Sequence, residues 1–357
     1  MQSKTLLVFM MILLFFTACK KDETKEETIS PKGPYAGGVL LLSNSSKEVD
    51  GPSELSFIDE QGKLSTNVFS KENKDQVLSP SAMSITHFNN RYYITSSQGP
   101  NHLTVIDDQS LKLDYNVTQS GISGLTYFTT TDGKTGYANV TNRKKPGLYP
   151  VDLLAKNVSG TMVTDTKDIA LVPVNKVDNS IVTGAGKRLV KIDNNVVKVL
   201  YTYKENVSGV VKTANKVVWV GVQGFSNKSK FIKLDQNFKA VDSVELDNTY
   251  KLPANGILTA SGQDEYIYWQ ETSTGVTCRF NTMTKTAEKF IDHAGAGIIF
   301  ATAWKVNPKN GELYIADSPG LFMGEMASSL FIFDQKGKLK KEIKNAGYGI
   351  IDILFTQ

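Results

Sequence analysis

The chain has 357 residues, of which 40% are hydrophobic and 21% are charged, and its formal net charge is +4. This balance is ordinary for a globular protein and supplies enough apolar side chains for a sizeable core. The charge excess is small and no basic patch alternates with aromatic residues, so the composition excludes nucleic acid as the expected partner.

The first residues predict an exported protein. Lys4 is followed by the apolar run LLVFMMILLFF, which has the length of a signal-peptide core and is too short to span a bilayer comfortably. The next segment, FTAC, resembles a bacterial lipobox. That resemblance implies a signal peptide over residues 1–18, cleavage before Cys19, and a lipid on the Cys19 thiol that anchors the protein to a membrane. The alternative is an ordinary secretory signal with a chance cysteine.

The segment after Cys19 predicts a disordered tether over residues 19–34. KKDETKEET has too little apolar content to fold, and SPKGP closes the segment. Asp22 and Glu23 resemble the export signal of surface lipoproteins in Bacteroidetes, which implies a location on the outer face of the outer membrane. A charged linker without an export function is the alternative. With Cys19 carrying lipid, Cys278 is left alone, so we expect no disulfide.

A short phrase recurs along the rest of the chain. It consists of two apolar residues, then Asp or Asn, then a lysine four or five residues later, and its seven copies are spaced 41 to 53 residues apart. A period in the forties, made only of strand-like segments, is typical of β-propeller blades. The repeated pairs are Asp59 and Lys63, Asp107 and Lys112, Asp152 and Lys156, Asp193 and Lys198, Asp235 and Lys239, Asn281 and Lys285, and Asp334 and Lys338.

Each repeat predicts one four-stranded blade, so we expect residues 35–357 to form an all-β, seven-bladed propeller. In the second unit the strands are SAMSITHF, RYYITSS, HLTVID and LKLDYNV. The aspartate ends the third strand and can accept backbone N–H groups in the turn, while the lysine begins the exposed outer strand; both roles are structural. The first unit has only three strands, GGVLLLSN, ELSFID and KLSTNVF. We therefore expect the last strand, YGIIDILF from Tyr348 to Phe355, to close the ring.

Three segments carry a resemblance to a known family. They are the lipobox with its acidic tether, the opening GGVLLLSNSSKEVDGPSELSFIDEQGKLSTNVFSKEN, and NPKNGELYIADSP with SSLFIFDQKGKLKKEI in the last blade. Together they resemble the Bacteroidetes surface lipoproteins with a YncE-like seven-bladed propeller, including the cobalamin-binding BtuG group. The resemblance implies a monomer that captures cobalamin or a related corrinoid and delivers it to a TonB-dependent outer-membrane transporter. Asn44, in LLSNSS, matches the asparagine of the family's LNEGN-like opening, whose acidic and glycine positions are absent here.

The connections between strands supply the predicted ligand-binding residues. Connections from second to third strands and between blades share one face of a propeller, around the central channel. Aromatic side chains there offer area for a large amphipathic ligand, and polar side chains orient it. The predicted residues are Asn44, Arg143, Gln223, Phe225, Tyr250, Gln270, Glu271, His293 and Phe322. SPGLFMGEMASS is the strongest candidate loop, unless it folds back and buries its apolar side chains.

Two other functions compete with ligand capture. A propeller enzyme of lactonase or lyase type needs carboxylates that converge on a metal, or a histidine base, at the channel mouth. His293 is nearly the only candidate base and could also coordinate a metal; the alternative is a surface histidine without a role. We therefore expect no enzyme activity, no metal and no cofactor. The other competitor is a propeller that only docks proteins.

Overall fold

Strands make up almost all of the regular structure. The computed structural model describes residues 33–45, 51–118, 124–140, 146–165, 173–193, 196–224, 227–253, 256–271, 274–320 and 326–357. Gly33–Gln357 form one compact unit. Strands account for 55% of the chain and helices for 3%, which confirms the predicted all-β class. The predicted signal peptide, Cys19 and nearly all of the tether lie outside the described residues, so those boundaries stay predictions.

The strands follow one another as antiparallel sheets in chain order. The first strands are β1 (Val39–Ser45), β2 (Glu54–Ile58) and β3 (Leu64–Ser65). The next sheet contains β4 (Ala82–Phe88), β5 (Arg91–Ser96), β6 (Leu103–Asp107) and β7 (Leu113–Val117). A third contains β8 (Leu125–Thr130), β9 (Thr135–Val140), β10 (Gly147–Asp152) and the short strands β11 (Asn157–Val158) and β12 (Thr164–Asp165). A fourth contains β13 (Asn175–Val177), β14 (Ser180–Ala185), β15 (Arg188–Asp193) and β16 (Val196–Thr202).

The second half of the chain repeats the same pattern. One sheet contains β17 (Val207–Lys212), β18 (Val218–Val222), β19 (Lys230–Leu234) and β20 (Ala240–Glu245). Another contains β21 (Thr259–Ala260), β22 (Tyr266–Glu271), β23 (Val276–Asn281) and β24 (Thr286–Asp292). The last strands are β25 (Ala301–Val306), β26 (Leu313–Asp317), β27 (Ser328–Phe333) and β28 (Leu339–Phe355). Two short helices, α1 (Val68–Glu72) and α2 (His293–Ala296), lie in connections between sheets.

The C-terminal strand closes the ring as the sequence predicts. The first half of β28 pairs with β27, and its second half, from Tyr348 to Phe355, pairs antiparallel with β1. The long strand therefore joins the last and first sheets into one seven-stranded sheet, β25-β26-β27-β28-β1-β2-β3. The positive φ of Gly349 and the irregular register near Gly347 mark the bend between the two halves. No free edge remains between the first and last units, so the closure removes a site of edge-to-edge pairing.

The innermost strands contact one another around a closed circle. The contacting pairs are β28 with β4, β4 with β8, β8 with β13, β13 with β17, β17 with β21, β21 with β25, and β25 with β28. Side chains bridge the unpaired backbone edges of these strands: Asp352 accepts the N–H of Ile85 at 3.0 Å, and the Thr302 hydroxyl donates to the carbonyl of Ile350 at 2.5 Å. This arrangement is that of a propeller, while the count of seven blades stays a prediction.

The core lies between the faces of neighbouring sheets. Between β17–β20 and β21–β24, the rings of Phe231 and Phe280 stack with centroids 4.8 Å apart, and Trp219 and Trp269 meet them edge-on. Tyr93 and Phe128 stack at 5.0 Å between the second and third sheets. Burial of rings of this size dominates the packing energy of a domain, and edge-to-face pairs add to it.

The repeated aspartates have the structural role that the sequence predicts. In the turn from β2 to β3, Asp59 Oδ1 accepts the N–H groups of Gln61 and Lys63 at 3.0 and 2.8 Å. Asp334 does the same for Lys336 and Lys338 at 2.8 and 2.9 Å. These backbone donors hold the pKa of Asp334 below its usual range. The side chains satisfy turn N–H groups that no strand pairs.

The first sheet departs from the prediction in its outer strand. KLSTNVF is expected to be one strand, yet β3 ends at Ser65 and α1 begins at Val68. The buried carboxylate of Glu54 explains the change, because its Oε1 accepts the N–H of Phe69 at 3.0 Å and its Oε2 that of Ser70 at 3.3 Å. A carboxylate beside the free N–H groups of a helix start stabilises that helix.

The alternation of strand direction gives the ring two different ends. We call one the loop face; it carries the connections from second to third strands and from sheet to sheet, for example 97–102 and 293–300. We call the other the turn face; it carries the turns within hairpins such as 59–63 and 307–312. All the predicted ligand-binding residues were assigned to the loop face.

Candidate ligand-binding face

The connection from β24 to β25 presents apolar side chains on the loop face. It begins with α2, whose first residue, His293, is buried. The His293 N–H donates to the carbonyl of Gly275 at 3.0 Å, and its ring Nε2 lies 2.9 Å from the hydroxyl of Thr277. Ile298 N–H then donates to the carbonyl of His293 at 2.9 Å. These contacts fix the base of the connection on β23.

Two large apolar residues, Ile299 and Phe300, follow this anchored base. Their side chains are 64% and 40% exposed. The buried carboxylate of Asp317, at the end of β26, holds their backbone: its Oδ1 accepts the N–H of Ile299 at 3.1 Å and that of Phe300 at 2.6 Å. The N–H of Ser318 returns a bond to the carbonyl of Phe300 at 2.9 Å. The two side chains are thus exposed on a backbone that is fixed at both sides.

Met326 adds a third exposed apolar side chain to the same region. It is 45% exposed and precedes β27. Its backbone packs tightly against Gly320, where a Cβ would stand 2.3 Å from the Met326 carbonyl oxygen. We call Ile299, Phe300 and Met326 the apolar patch, because all three flank the segment 317–320. The exposure of Met326 argues against burial of the loop's side chains at this position.

A chain of hydroxyl groups ties this region to the strand that closes the ring. The Ser328 hydroxyl donates to that of Ser318 at 2.9 Å, and Thr302 reaches Ser318 at 3.0 Å. Ser328 also accepts the N–H of Gly349 at 3.0 Å. Since these buried hydroxyls are all partnered, they fix the relative positions of β25, β27 and β28 beneath the apolar patch.

Burial shifts the pKa values of two residues beneath the apolar patch, Asp317 and His293. The pKa of Asp317 is raised, chiefly because burial disfavours its charged form, although the two backbone N–H donors oppose that shift. Burial also lowers the pKa of His293, so the ring is neutral at physiological pH. His293 is therefore a buried residue partnered with Thr277, and the alternative interpretation as a surface histidine is wrong.

Asn44 and Gln223 lie at strand ends on the loop face, as predicted. The carbonyl of Asn44 accepts the N–H of Ser81 at 2.9 Å, while its side-chain Oδ1 is buried and has no hydrogen-bond partner in the described part of the chain. Gln223 is half-buried, and its N–H donates to the carbonyl of Asn206 at 2.9 Å. The half-buried Gln223 therefore has a side chain that a ligand could engage, whereas the Oδ1 of Asn44 is not accessible from the face.

The other described candidates lie deeper than a loop position implies. Gln270 and Glu271 end strand β22 and are buried, and Glu271 accepts a hydrogen bond from Thr274. Tyr250 is half-buried against the aromatic cluster around Trp269. Arg143, Phe225, Phe322 and Cys19 fall outside the described residues.

The described residues contain no cluster of three or more His, Cys, Asp or Glu side chains that could hold a metal ion. On the turn face, the His87 ring pairs with Asp108 at 2.9 Å, and Asp108 also accepts a bond from Gln109.

In the part of the chain that the structure describes, no helix is both long and apolar enough to cross a bilayer.

A cavity of about 540 Å³ opens on the turn face, beside the seam between the last and first sheets. Its lining includes Glu312, Lys340, Lys341, Tyr314 and Phe355. Two of its lysines already have partners: Lys340 pairs with Glu312, and Lys341 donates to the carbonyl of Gly62 at 3.1 Å. A ligand would have to break these bonds, so the cavity is a weaker candidate than the exposed patch.

Sequence reasoning missed Asp317 as a support and Ile299 and Phe300 as exposed residues. The signal was the run GIIF, residues 297–300, directly before ATAWKV. In the sequence, apolar residues directly before an apolar strand cannot be told apart from the strand itself. Only the tertiary contact with Asp317 shows that Ile299 and Phe300 belong to the exposed connection.

The comparison of the sequence with known families gives a match over residues 48–349 to a family described as "Domain of unknown function (DUF5074)". The chain belongs to the DUF5074 family. Because the match spans most of the ring, the apolar patch and its supports lie within this DUF5074 domain. No match emerges from the comparison with curated proteins.

Solved structures similar to this DUF5074 protein support the fold. A functionally unknown protein from Desulfotomaculum acetoxidans has a TM-score of 0.59 at 13% identity, with 89% of this chain and 98% of that chain covered. A protein from Lactobacillus plantarum has a TM-score of 0.55 at 12% identity, with coverage of 90% and 100%. The dihydro-heme d1 dehydrogenase NirN, in complex with DHE, has a TM-score of 0.57 at 10% identity, with coverage of 91% and 76%. At these identities the likeness is one of fold alone.

Proposed function

We propose that this protein is a surface-anchored binding propeller that captures a large amphipathic nutrient, cobalamin or a related corrinoid, on its loop face. The observation that carries the proposal is the apolar patch: its three side chains are exposed, and Asp317 fixes the backbone of two of them, Ile299 and Phe300. Exposed apolar area on a rigid support is typical of a binding surface, because the ordering of the site costs little when the ligand arrives.

Side chains of the loop face match the chemistry of such a ligand. A corrinoid combines a large apolar ring face with amide side arms and a phosphate. The apolar patch provides area for the ring, and the half-buried carboxamide of Gln223 on the same face is a suitable partner for an amide. The predicted residues Arg143, Phe225 and Phe322 would extend the surface with one cation and two aromatic rings.

The anchoring and delivery parts of the proposal depend on the sequence. Lipid on Cys19 would hold the protein at the outer membrane, and the acidic residues after it favour export to the cell surface. A propeller in that position would pass its ligand to a TonB-dependent transporter. Substitution of Cys19 by Ala is expected to abolish incorporation of labelled fatty acid and to release the protein from the outer-membrane fraction, and co-purification with a transporter from solubilised membranes tests the partner.

Isothermal titration with cyanocobalamin tests the ligand directly. We expect saturable binding by the wild-type protein and a Kd at least about fivefold higher for Phe300→Ala, because the loss of a central aromatic contact costs about 1 kcal/mol or more. Met326→Ala is expected to weaken binding less.

Met283→Ala is the matched control for Met326→Ala. Met283 is also exposed but lies in the turn between β23 and β24, on the turn face, so its loss should leave the affinity unchanged. Absence of heat, together with an unchanged visible spectrum of the corrinoid at micromolar protein, would exclude a corrinoid ligand. Equal losses in Met283→Ala and Met326→Ala would exclude the patch as the site.

A further inference from the structure

The cavity on the turn face, beside the seam between the last and first sheets, has a buried apolar floor. We call it the seam cavity; its volume of about 540 Å³ is within the range of roughly 300–1,000 Å³ that small-molecule sites occupy. The rings of Tyr314 and Phe355 line it and meet edge to face, with centroids 5.0 Å apart. The floor is formed by buried side chains of the surrounding strands, Val39, Ile58, Tyr314, Ile332 and Ile343.

Charged side chains surround this floor in equal numbers of each sign. The lining includes three carboxylates and three lysines, and no other charged residue. The six residues are Asp59, Glu60, Glu312, Lys309, Lys340 and Lys341. Their formal charges cancel, so the lining favours neither an anion nor a cation. A ligand that complements it has no net charge but can carry one charge of each sign.

Half of these charges already have partners. Lys340 pairs with Glu312, and the backbone N–H groups of its own turn hold the carboxylate of Asp59. The other three take part in no ion pair within the described ranges: Glu60, Lys309 and Lys341. One carboxylate and two ammonium groups at the cavity are therefore available to a ligand.

Glu60 and Lys341 meet at the turn from β2 to β3. Glu60 belongs to this turn, and its Oε1 takes the space that a Cβ on Gly37 would need. Lys341 reaches the turn from β28 by donating to the carbonyl of Gly62 at 3.1 Å. The two side chains are nevertheless not paired with each other. Opposite charges at one turn that do not pair leave a gap, which a molecule with both charges can bridge.

We propose that the seam cavity binds a small zwitterion with an apolar body, which is either an apolar α-amino acid or a dipeptide of such residues. The carboxylate of the ligand accepts hydrogen bonds from Lys341, its ammonium donates to Glu60, and its apolar side chain covers the floor beside Tyr314. The seam cavity and the apolar patch lie on opposite faces of the ring, so this is a second site that goes beyond the proposed corrinoid function.

The bonds that such a ligand replaces are weak. Lys341 bonds to a neutral carbonyl, and a carboxylate in its place is a stronger acceptor because the bond is then between charged groups. The Lys340 side chain is 53% exposed, and an ion pair at that exposure contributes little to stability. Coverage of the apolar floor adds a favourable contribution that the empty cavity lacks.

Isothermal titration of the full chain tests the ligand class. The two probes are L-leucine and L-leucyl-L-leucine, and the one that binds more tightly distinguishes a free amino acid from a dipeptide. Three analogues each lack one feature: 4-methylpentanoate has no ammonium, 3-methylbutylamine has no carboxylate, and glycine has no apolar side chain. We expect each analogue to bind at least about tenfold more weakly than leucine. No binding of either probe, or equal binding of an analogue, would overturn the proposal.

Two substitutions locate the site. Glu60→Gln and Lys341→Gln each remove one charge and should raise the Kd of the better probe about tenfold. The matched controls are Glu342→Gln and Lys344→Gln, because both residues are exposed on the same strand as Lys341 but do not line the cavity. The controls should bind as the wild type does. All four side chains are exposed, so the urea midpoint without ligand should not change. Equal losses in the controls would show that the seam cavity is not the site.

The outcomes separate this inference from the proposed function. Cyanocobalamin titration of Glu60→Gln and Lys341→Gln should give the wild-type affinity, because both substitutions lie on the face opposite the apolar patch. If leucine and the dipeptide fail to bind while cobalamin binds, only the zwitterion inference is wrong. The reverse result removes the corrinoid and leaves the seam cavity as a binding site.

Discussion

Asp317 offers the sharpest test of how the apolar patch is held. Asp317→Ala removes the acceptor for two backbone N–H groups, those of Ile299 and Phe300, at 3.1 and 2.6 Å. A buried donor without a partner costs about 1–3 kcal/mol. Water can reach part of this half-exposed connection and replace some of the loss, so we expect the free energy of unfolding to fall by about 2–4 kcal/mol. Asp317→Asn keeps an acceptor oxygen of the same shape and should cost less than about 1 kcal/mol.

Urea unfolding followed by tryptophan fluorescence measures both variants, since Trp219, Trp269 and Trp304 are buried in the ring. The corrinoid affinity of Asp317→Ala should fall in parallel, because Phe300 would no longer be fixed. If the two variants differ by less than about 0.5 kcal/mol, which is the usual scatter for unimportant substitutions, the paired N–H groups are not what supports the patch.

The pH dependence of the same pair of proteins gives an independent check. Burial raises the pKa of Asp317 in the folded state above the usual aspartate value. The folded protein then binds the proton more tightly than the unfolded chain does. The resulting stabilisation is complete below the usual aspartate pKa and is lost as pH rises through the raised value. The wild type should therefore gain stability relative to Asp317→Asn as pH falls from 7 to 4, and a constant difference would contradict the raised pKa.

Three further substitutions test the framework of the ring. Burial lowers the pKa of His293 below 6.5 in the folded state, so the unfolded chain binds the proton more tightly. The wild type should therefore lose this stabilisation as pH falls below 6.5, whereas His293→Gln has no such contribution to lose. Urea titrations of both proteins at about pH 7.5 and 5 measure the difference. Ile353→Ala, in the closing strand where the side chain is buried, should lower the free energy of unfolding by about 2–5 kcal/mol. The half-exposed control Val199→Ala should change it by less than about 0.5 kcal/mol, and similar values for both would argue against closure by β28. Glu54→Ala removes the acceptor of the N–H groups of Phe69 and Ser70 in α1 and of Leu55 in β2, and should lower the melting temperature clearly more than Glu54→Gln does.

The two faces of the ring differ in construction. The turn face is made of tight, repeated turns in which aspartate caps the backbone and lysine extends outward. The loop face carries the longer connections, which include the apolar patch and its buried support Asp317. Function that depends on one special contact is therefore expected on the loop face.

The amino-acid sequence by itself determined the class of fold, the capping role of Asp59 and its equivalents, and the closure by Tyr348–Phe355. These features depend on local hydrogen bonding and on a period of hydrophobic strands, both of which are present in the order of residues. It also placed Met326 in an apolar loop. Only the tertiary structure decided that Gln270, Glu271 and His293 are buried, and that Asp317 holds Ile299 and Phe300 in an exposed position. Those outcomes depend on which strand ends meet across neighbouring sheets, and contacts between distant segments leave no periodic mark in a single sequence.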